Sequence, residues 1–174
     1  TIDVVVLPKP APLAANDIGS APFRQTVTLT PLANDSAGTP PDPVVVGGQT
    51  ITVDPTSIVL DNGSLRLCGP QESVPNCSAT TVTTVDGTYV LDPVTGNVVF
   101  TPVPSFSGTV TTPVQYQISN LFTRITTDNV TLGYTSTTVS QTVNAYLIPT
   151  IGAPAPAIAT TDSTTTFVGT PVVV

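Results

Sequence analysis

The sequence predicts an all-β protein, specifically an Ig-like β-sandwich with Greek-key connections, and three observations carry that expectation. Thr and Val are abundant in a chain whose hydrophobic residues reach 40% while its charged residues stop at 9%. Both residue types favour strands, because branching at Cβ suits a pleated surface. Nineteen prolines exclude long helices, and no stretch of helical length repeats apolar side chains at i, i+3, i+4 and i+7. Short apolar runs alternate instead with turn compositions along 174 residues, a length that suits one domain with a real core.

The clearest element runs from Gly87-Thr88-Tyr89 to Phe106-Ser107-Gly108. It holds two apolar segments, Tyr89-Val90-Leu91 and Val98-Val99-Phe100, around the connector Asp92-Pro93-Val94-Thr95-Gly96-Asn97. Proline presets φ and Gly or Asn accepts positive φ, so the pattern predicts a β-hairpin. The following Pro104-Ser105-Phe106-Ser107-Gly108 can fold an aromatic ring back under the sheet. Strands are expected at 25–31, 44–46, 50–53, 57–60, 64–68, 80–85, 88–91, 97–101, 114–119, 129–134 and 140–148. Turn signals separate them at Ala33-Asn34-Asp35-Ser36, Gly47-Gly48, Asp61-Asn62-Gly63 and Asp86-Gly87. Val114-Gln115-Tyr116-Gln117-Ile118 alternates cleanly and predicts one buried face. The last strand carries Val143, Ala145 and Leu147 on one side, as a central or closing strand would.

The two ends of the chain repeat each other. Thr1-Ile2-Asp3-Val4-Val5-Val6-Leu7-Pro8 matches Thr142-Val143-Asn144-Ala145-Tyr146-Leu147-Ile148-Pro149 in pattern. An Ala/Pro segment follows each, ending at Asp17 and at Asp162, and ten residues further on an apolar run begins at Val27 and at Val172. The offset is 141 residues before the linker and 145 after it. Such a period is the mark of a tandem array, with Pro-rich linkers as semi-rigid spacers. The expected organisation is therefore 1–10 as the last strand of a preceding repeat and its linker (or an exchanged strand), 11–149 as a complete repeat, and 150–174 as linker and opening strand of the next.

A net charge of −7, with only Lys9, Arg24, Arg66 and Arg124 as cations, argues against binding nucleic acid or an anionic membrane. No apolar run is long enough to span a bilayer as a helix. No basic start followed by an apolar core marks a signal peptide, so a processed chain or a piece of a longer one is expected. Cys68 and Cys77 bracket eight residues that include Gly69, Pro70 and Pro75. Such a loop can bring them to disulfide distance; the rival, a metal site, would need carboxylates because the chain has no His. A disulfide implies an oxidising compartment.

With no His, the common catalytic triads and zinc centres are absent, and the carboxylates sit mostly in turn contexts where they cap backbone amides. No enzymatic activity and no resident cofactor are expected. Calcium is the one metal to weigh, with Asp17, Asp35 and Asp162 near the module junctions as oxygen ligands. Tyr89, Tyr116, Tyr134 and Tyr146 could form a sugar-stacking platform or anchor the core with their hydroxyls at its edge. Sequons stand at Asn34, Asn62, Asn76 and Asn129. Lys9 is the only lysine and lies between two prolines, a poor place for an isopeptide crosslink.

Taken in order, Leu32-Ala33-Asn34-Asp35, Asp54-Pro55-Thr56-Ser57-Ile58-Val59-Leu60, Leu67-Cys68-Gly69 with Cys77, the hairpin segment through Phe106-Ser107-Gly108, and Val114-Gln115-Tyr116 resemble the CshA-type fibril repeat of bacterial surface adhesins. The resemblance covers about residues 11–148. It implies a tandem β-sandwich module in the stalk of an extracellular cell-surface fibril, with binding assigned to a separate tip and neighbouring repeats as partners. The chain departs from the family at Ser119-Asn120-Leu121, where members tend to carry an acidic residue and Gly, so a differently shaped connection is expected there. Two other functions remain open on the sequence: a filament subunit that polymerises by exchanging a terminal strand such as 1–7 or 167–174, and a carbohydrate- or calcium-dependent adhesive module.

Overall fold

A computed structural model describes residues 7–160 and Gly169. Among them, eleven strands follow in chain order: β1 (Asp17–Ala21), β2 (Val27–Leu29), β3 (Val44–Val46), β4 (Gln49–Val53), β5 (Val59–Leu67), β6 (Thr81–Thr83), β7 (Gly87–Leu91), β8 (Val98–Pro102), β9 (Gly108–Thr109), β10 (Val114–Asp128) and β11 (Tyr134–Ile151). Two single 3-10 turns, Pro31–Ala33 and Pro55–Ser57, are the only helical pieces among the described residues. The fold is an all-β, sandwich-like arrangement of two sheets.

The larger sheet is built on the β10–β11 hairpin. β1 pairs with the far side of β11, β9 with its C-terminal end, and β5 and β4 follow one another along the other side of β10, with β3 beyond β4. The smaller sheet runs β2-β8-β7-β6. Every pairing is antiparallel except β1 with β11, which joins the two ends of the module in parallel, Asp17 opposite Leu147 and Ala21 opposite Ile151. The core closes between the sheets: Leu67, Tyr116, Ile118, Ala145 and Leu147 from the larger meet Val27, Leu29, Tyr89, Leu91 and Phe100 from the smaller.

The β7–β8 hairpin forms where the sequence places it. Asp92 carboxylate oxygens accept hydrogen bonds from Val94 N and Thr95 Oγ1, and Gly96 takes φ 73°, which its lack of a side chain permits. Tyr89 and Phe100 stand opposite each other with ring centroids 4.7 Å apart, and Phe106 folds back to meet Phe100 edge-on at 6.3 Å.

Four expectations about the strands need correction. β1 lies where no strand is expected, starting at the last residue of the Ala/Pro segment, because its one large apolar side chain, Ile18, faces solvent, 80% exposed. The expected strands 57–60 and 64–68 are one strand, β5: Asp61 pairs with Ser119 and Arg66 with Gln117, so residues 62–65 bulge opposite Ile118 and do not reverse the chain, with Ser64 Oγ accepting Ser119 N and donating to Asp61 O. Of the expected strand 129–134 only Tyr134 is one, opening β11 opposite Thr127, and residues 129–133 are the tip of the long hairpin. There the Asp128 carboxylate accepts from Val130 N, Thr131 N and Thr131 Oγ1, a local closure that overrides the β-branched composition. Nor is there a connection at Ser119-Asn120-Leu121. β10 runs straight through it, since the fully buried Asn120 is satisfied in place, its Nδ2 donating to Ala37 O and its Oδ1 accepting Gln141 N.

Beyond the smaller sheet, the inner face of β10 continues with Phe122, Arg124 and Thr126. Val53 and Ile51 of β4 lie across from the last two, and Phe122, Val53 and Ile51 are all buried. This extension needs a cover, and the N-terminal segment supplies part of it.

Between the two sheets a tyrosine hydroxyl is left unpaired. The Tyr89 hydroxyl is buried without a hydrogen-bond partner, and burial pushes its pKa up. An unsatisfied buried hydroxyl detracts from stability. Tyr89→Phe is therefore expected to match or exceed the parent by about 1 kcal/mol in urea unfolding, and a clear loss of stability would show that the hydroxyl has a partner after all.

Candidate functional site at the linker junction

Proline fixes φ and donates no hydrogen bond, so a Pro-x-Pro-x-Pro run stays extended and can bury every second residue. Pro8, Pro10 and Pro12 are buried, whereas Leu7, Lys9, Ala11 and Leu13 are exposed. The linker preceding β1 is thus seated on the module along one face. Arg124 holds its start, donating from Nε and Nη2 to Pro8 O at 3.3 and 3.1 Å while its guanidinium lies 5.9 Å over the Phe122 ring. Midway, Gly38 allows close approach, for a Cβ there would meet Ala11 O at 2.5 Å. Leu13 and Ser36 then exchange two backbone hydrogen bonds of 2.9 Å each.

The segment ends in a buried polar knot. Tyr116 Oη, projecting from the inner face of β10, lies 2.9 Å from both Asp35 carboxylate oxygens and 3.1 Å from Ala15 O. Ala15 N donates to Asp35 Oδ1 at 2.9 Å. Asn16 Oδ1 accepts Tyr146 N, capping the edge of β11 just before β1 begins to pair with it. Asp17, the first residue of β1, faces the same knot, and its Oδ2 is buried without a partner. Burial pushes the Asp17 carboxyl up to about 6, helped by the neighbouring Asp35 charge and opposed by the Tyr116 hydroxyl. Asp35 is also raised by burial, with Ala15 N and Tyr116 pulling the other way.

Of the three aspartates weighed for calcium, Asp17 and Asp35 converge here, and Asp162 lies outside the described residues. Tyr116 and Ala15 already engage Asp35, and no group of three His, Cys, Asp or Glu side chains gathers among the described residues. Sequence reasoning singled out Asp17 and Asp35, and weighed Tyr116 as a core anchor with its hydroxyl at the edge, but missed Gly38 and the part played by Arg124. The last lies 116 positions from its partner Pro8, and no local pattern reports such a pairing.

Cys68 and Cys77 are joined in a disulfide, their Cα atoms 4.5 Å apart. Their loop is further closed by paired backbone bonds between Leu67 and Ala79, and by Glu72, whose carboxylate accepts Gly69 N, Ser78 N and Ser78 Oγ. The Ser78 hydroxyl foremost, with those amides, holds the Glu72 carboxyl down to about 2. Beside this loop opens a cleft of about 370 Å³ between Gly69, β6 and Pro113, floored by Val82 and Val114. Glu72 is the one charged side chain in its lining, and its oxygens are taken.

The four tyrosines do not assemble into one platform: Tyr89 and Tyr116 lie in the core, whereas Tyr134 and Tyr146 are exposed on β11. Asp54 caps a turn for Thr56, whereas the buried Asp86 accepts Thr111 N and Thr111 Oγ1 across 25 positions. All four sequon asparagines are exposed. Comparison with protein-family models, with curated proteins and with solved structures finds no match to this chain.

Two outcomes are expected. A carboxyl raised to about 6 in the folded state stabilises it fully below the unfolded value of 3.8, and that contribution is lost as pH rises through 6. Asp17→Asn, which mimics the protonated acid, should leave the melting temperature unchanged at pH 4 and raise it at pH 8, by the equivalent of about 2–3 kcal/mol. A variant equally shifted at both pH values would assign Asp17 another role. For the disulfide, replacing both cysteines by serine should lower unfolding free energy by about 2–3 kcal/mol, the chain-entropy value for so short a loop, read from the denaturation midpoint.

Proposed function

We propose that this chain contains one structural repeat of an extracellular cell-surface fibril, a stalk module of the CshA type that projects a distal binding region. The observation that carries the reading is the recurrence of strand, Ala/Pro linker and following apolar run at both ends of one sandwich. Further support comes from the linker's seating on the module, which suits a unit that passes load to its neighbour. A disulfide-closed loop and a surface of Thr, Ser and Asn with few charges agree with an oxidising, extracellular setting. The role is mechanical, with similar repeats in the same chain as partners.

One observation favours a second reading, a separate subunit that polymerises by strand exchange. The outer edge of β11 before Tyr146 has no strand beside it among the described residues, because β1 pairs only from Leu147 onward. An open edge of uncharged Thr, Ser and Gln is a template for an added strand. Light scattering and negative-stain imaging of the purified 174-residue chain separate the two. A folded monomer of about 17.8 kDa is the outcome expected of a covalent stalk module, and long regular filaments would overturn it in favour of strand exchange.

A further inference from the structure

The seated linker has a copy at the other end of the described chain. Pro154-Ala155-Pro156 repeats Pro10-Ala11-Pro12, and Ala157 and Ala159 fall at the positions of Leu13 and Ala15, 144 residues on. Every described residue of this second segment, 152–160, is exposed, although Pro10 and Pro12, the counterparts of Pro154 and Pro156, are buried at the first.

The match follows the chemistry of the seat. Pro10 and Pro12 are buried and their backbone donates nothing, so proline is tolerated there. Leu13 N and Ala15 N each donate a hydrogen bond, to Ser36 O and Asp35 Oδ1, so proline is forbidden there. The second segment keeps proline at the first pair of positions and alanine at the second. The hydrogen bonds that hold Pro8, Leu13 and Ala15 reach their main-chain atoms, so a segment with different side chains can make the same bonds. In this register Gly152 takes the place of Pro8, whose carbonyl alone is used by Arg124.

We propose that the channel over Gly38, Ser36, Asp35, Tyr116 and Arg124 is the joint between modules, and that the segment 152–160 is built to occupy this channel on a second copy of the module. The assignment rests on the tandem-repeat reading and gives that reading its contact surface. β11 ends at Ile151 and the residue that meets the neighbouring Arg124 is the next one, so the linker leaves no free spacer. It serves as the first seated strand of the following module, and its prolines set the relative orientation of the two.

The test uses the full 174-residue chain. Leu13→Pro with Ala15→Pro removes both linker donors and frees the channel of its own segment, leaving the tail intact. Adding Ser36→Cys and Ala157→Cys places a thiol in the channel and another in the tail. The expected result is self-association of this variant, with an intermolecular crosslink on oxidation that is lost when either cysteine is omitted; in the same freed chain without the added cysteines, Ala157→Pro with Ala159→Pro should abolish the self-association. If the freed module loses its cooperative melt, a peptide of residues 150–166 is expected to restore it. A folded monomer with an empty channel, association that ignores the tail substitutions, or an unfolded chain the peptide does not rescue would each overturn the joint. None of these bears on the mass of the parent chain, so the stalk reading fails or survives separately.

Discussion

The β10–β11 pairing is the constraint on which the rest of the molecule depends. Fourteen residues of β10 lie in unbroken register with β11, and every other strand of the larger sheet except β3 bonds to one of these two. Because side chains alternate faces, a slip of one residue would turn Tyr116, Ile118, Asn120 and Phe122 outward together. The tip fixes the register through Asp128, which ties Val130 and Thr131 to itself, and Asn120 fixes it midway by accepting Gln141 N. A local hairpin of this length forms at low loop-closure entropy, and it presents both the core surface and the seat for the N-terminal segment.

The sequence displays those parts of the fold that depend on nearest neighbours. The β7–β8 hairpin, the alternation through Val114-Gln115-Tyr116-Gln117-Ile118 and the disulfide loop are each set within a few residues, and each lies where the pattern puts it. What escapes is set by distant partners. β1 is a strand because the edge of β11 is there to receive it, 130 positions away, and not because its own five residues prefer to be one. The tip at 129–133 misleads for the opposite reason: its β-branched residues read as a strand, yet the single carboxylate of Asp128, immediately before it, decides the backbone. The junction shows both sides of this. Asn34-Asp35 is visible as a turn signal and Asp17 as a candidate oxygen ligand, whereas the meeting of the two acids beside one tyrosine hydroxyl follows only from the sheet.

Low charge changes what the charged groups do. Arg24, Arg66 and Arg124 donate to backbone carbonyls, of Pro104, of Gly63 and Leu65, and of Pro8, while Asp54, Glu72, Asp92 and Asp128 accept from backbone amides. Such bonds fix loops one at a time and lack the long-range Coulomb component that salt screens in surface ion pairs. The exception is the Asp17–Asp35 pair, where two acids share a desolvated site and only one of them is fully hydrogen-bonded. Asp17 lies at the hinge between seated linker and sheet, so the least satisfied group of the junction is also the one that joins its two halves.

A seat that binds main chain has a consequence for any assembly built from it. Specificity for an occupant would come mainly from where proline is allowed and where an N–H is required, with Asn16 Oδ1 adding one side-chain bond to Tyr146 N. On the proposed joint, Leu13 and Ala157 can differ as side chains while meeting the same main-chain requirement. The same property weakens discrimination between the chain's own linker and another copy's tail. What then favours the correct occupant is connectivity: a segment attached to β1 reaches the channel as an intramolecular partner at high effective concentration. Covalent continuity from one module to the next would in this way do the work that side-chain recognition does elsewhere.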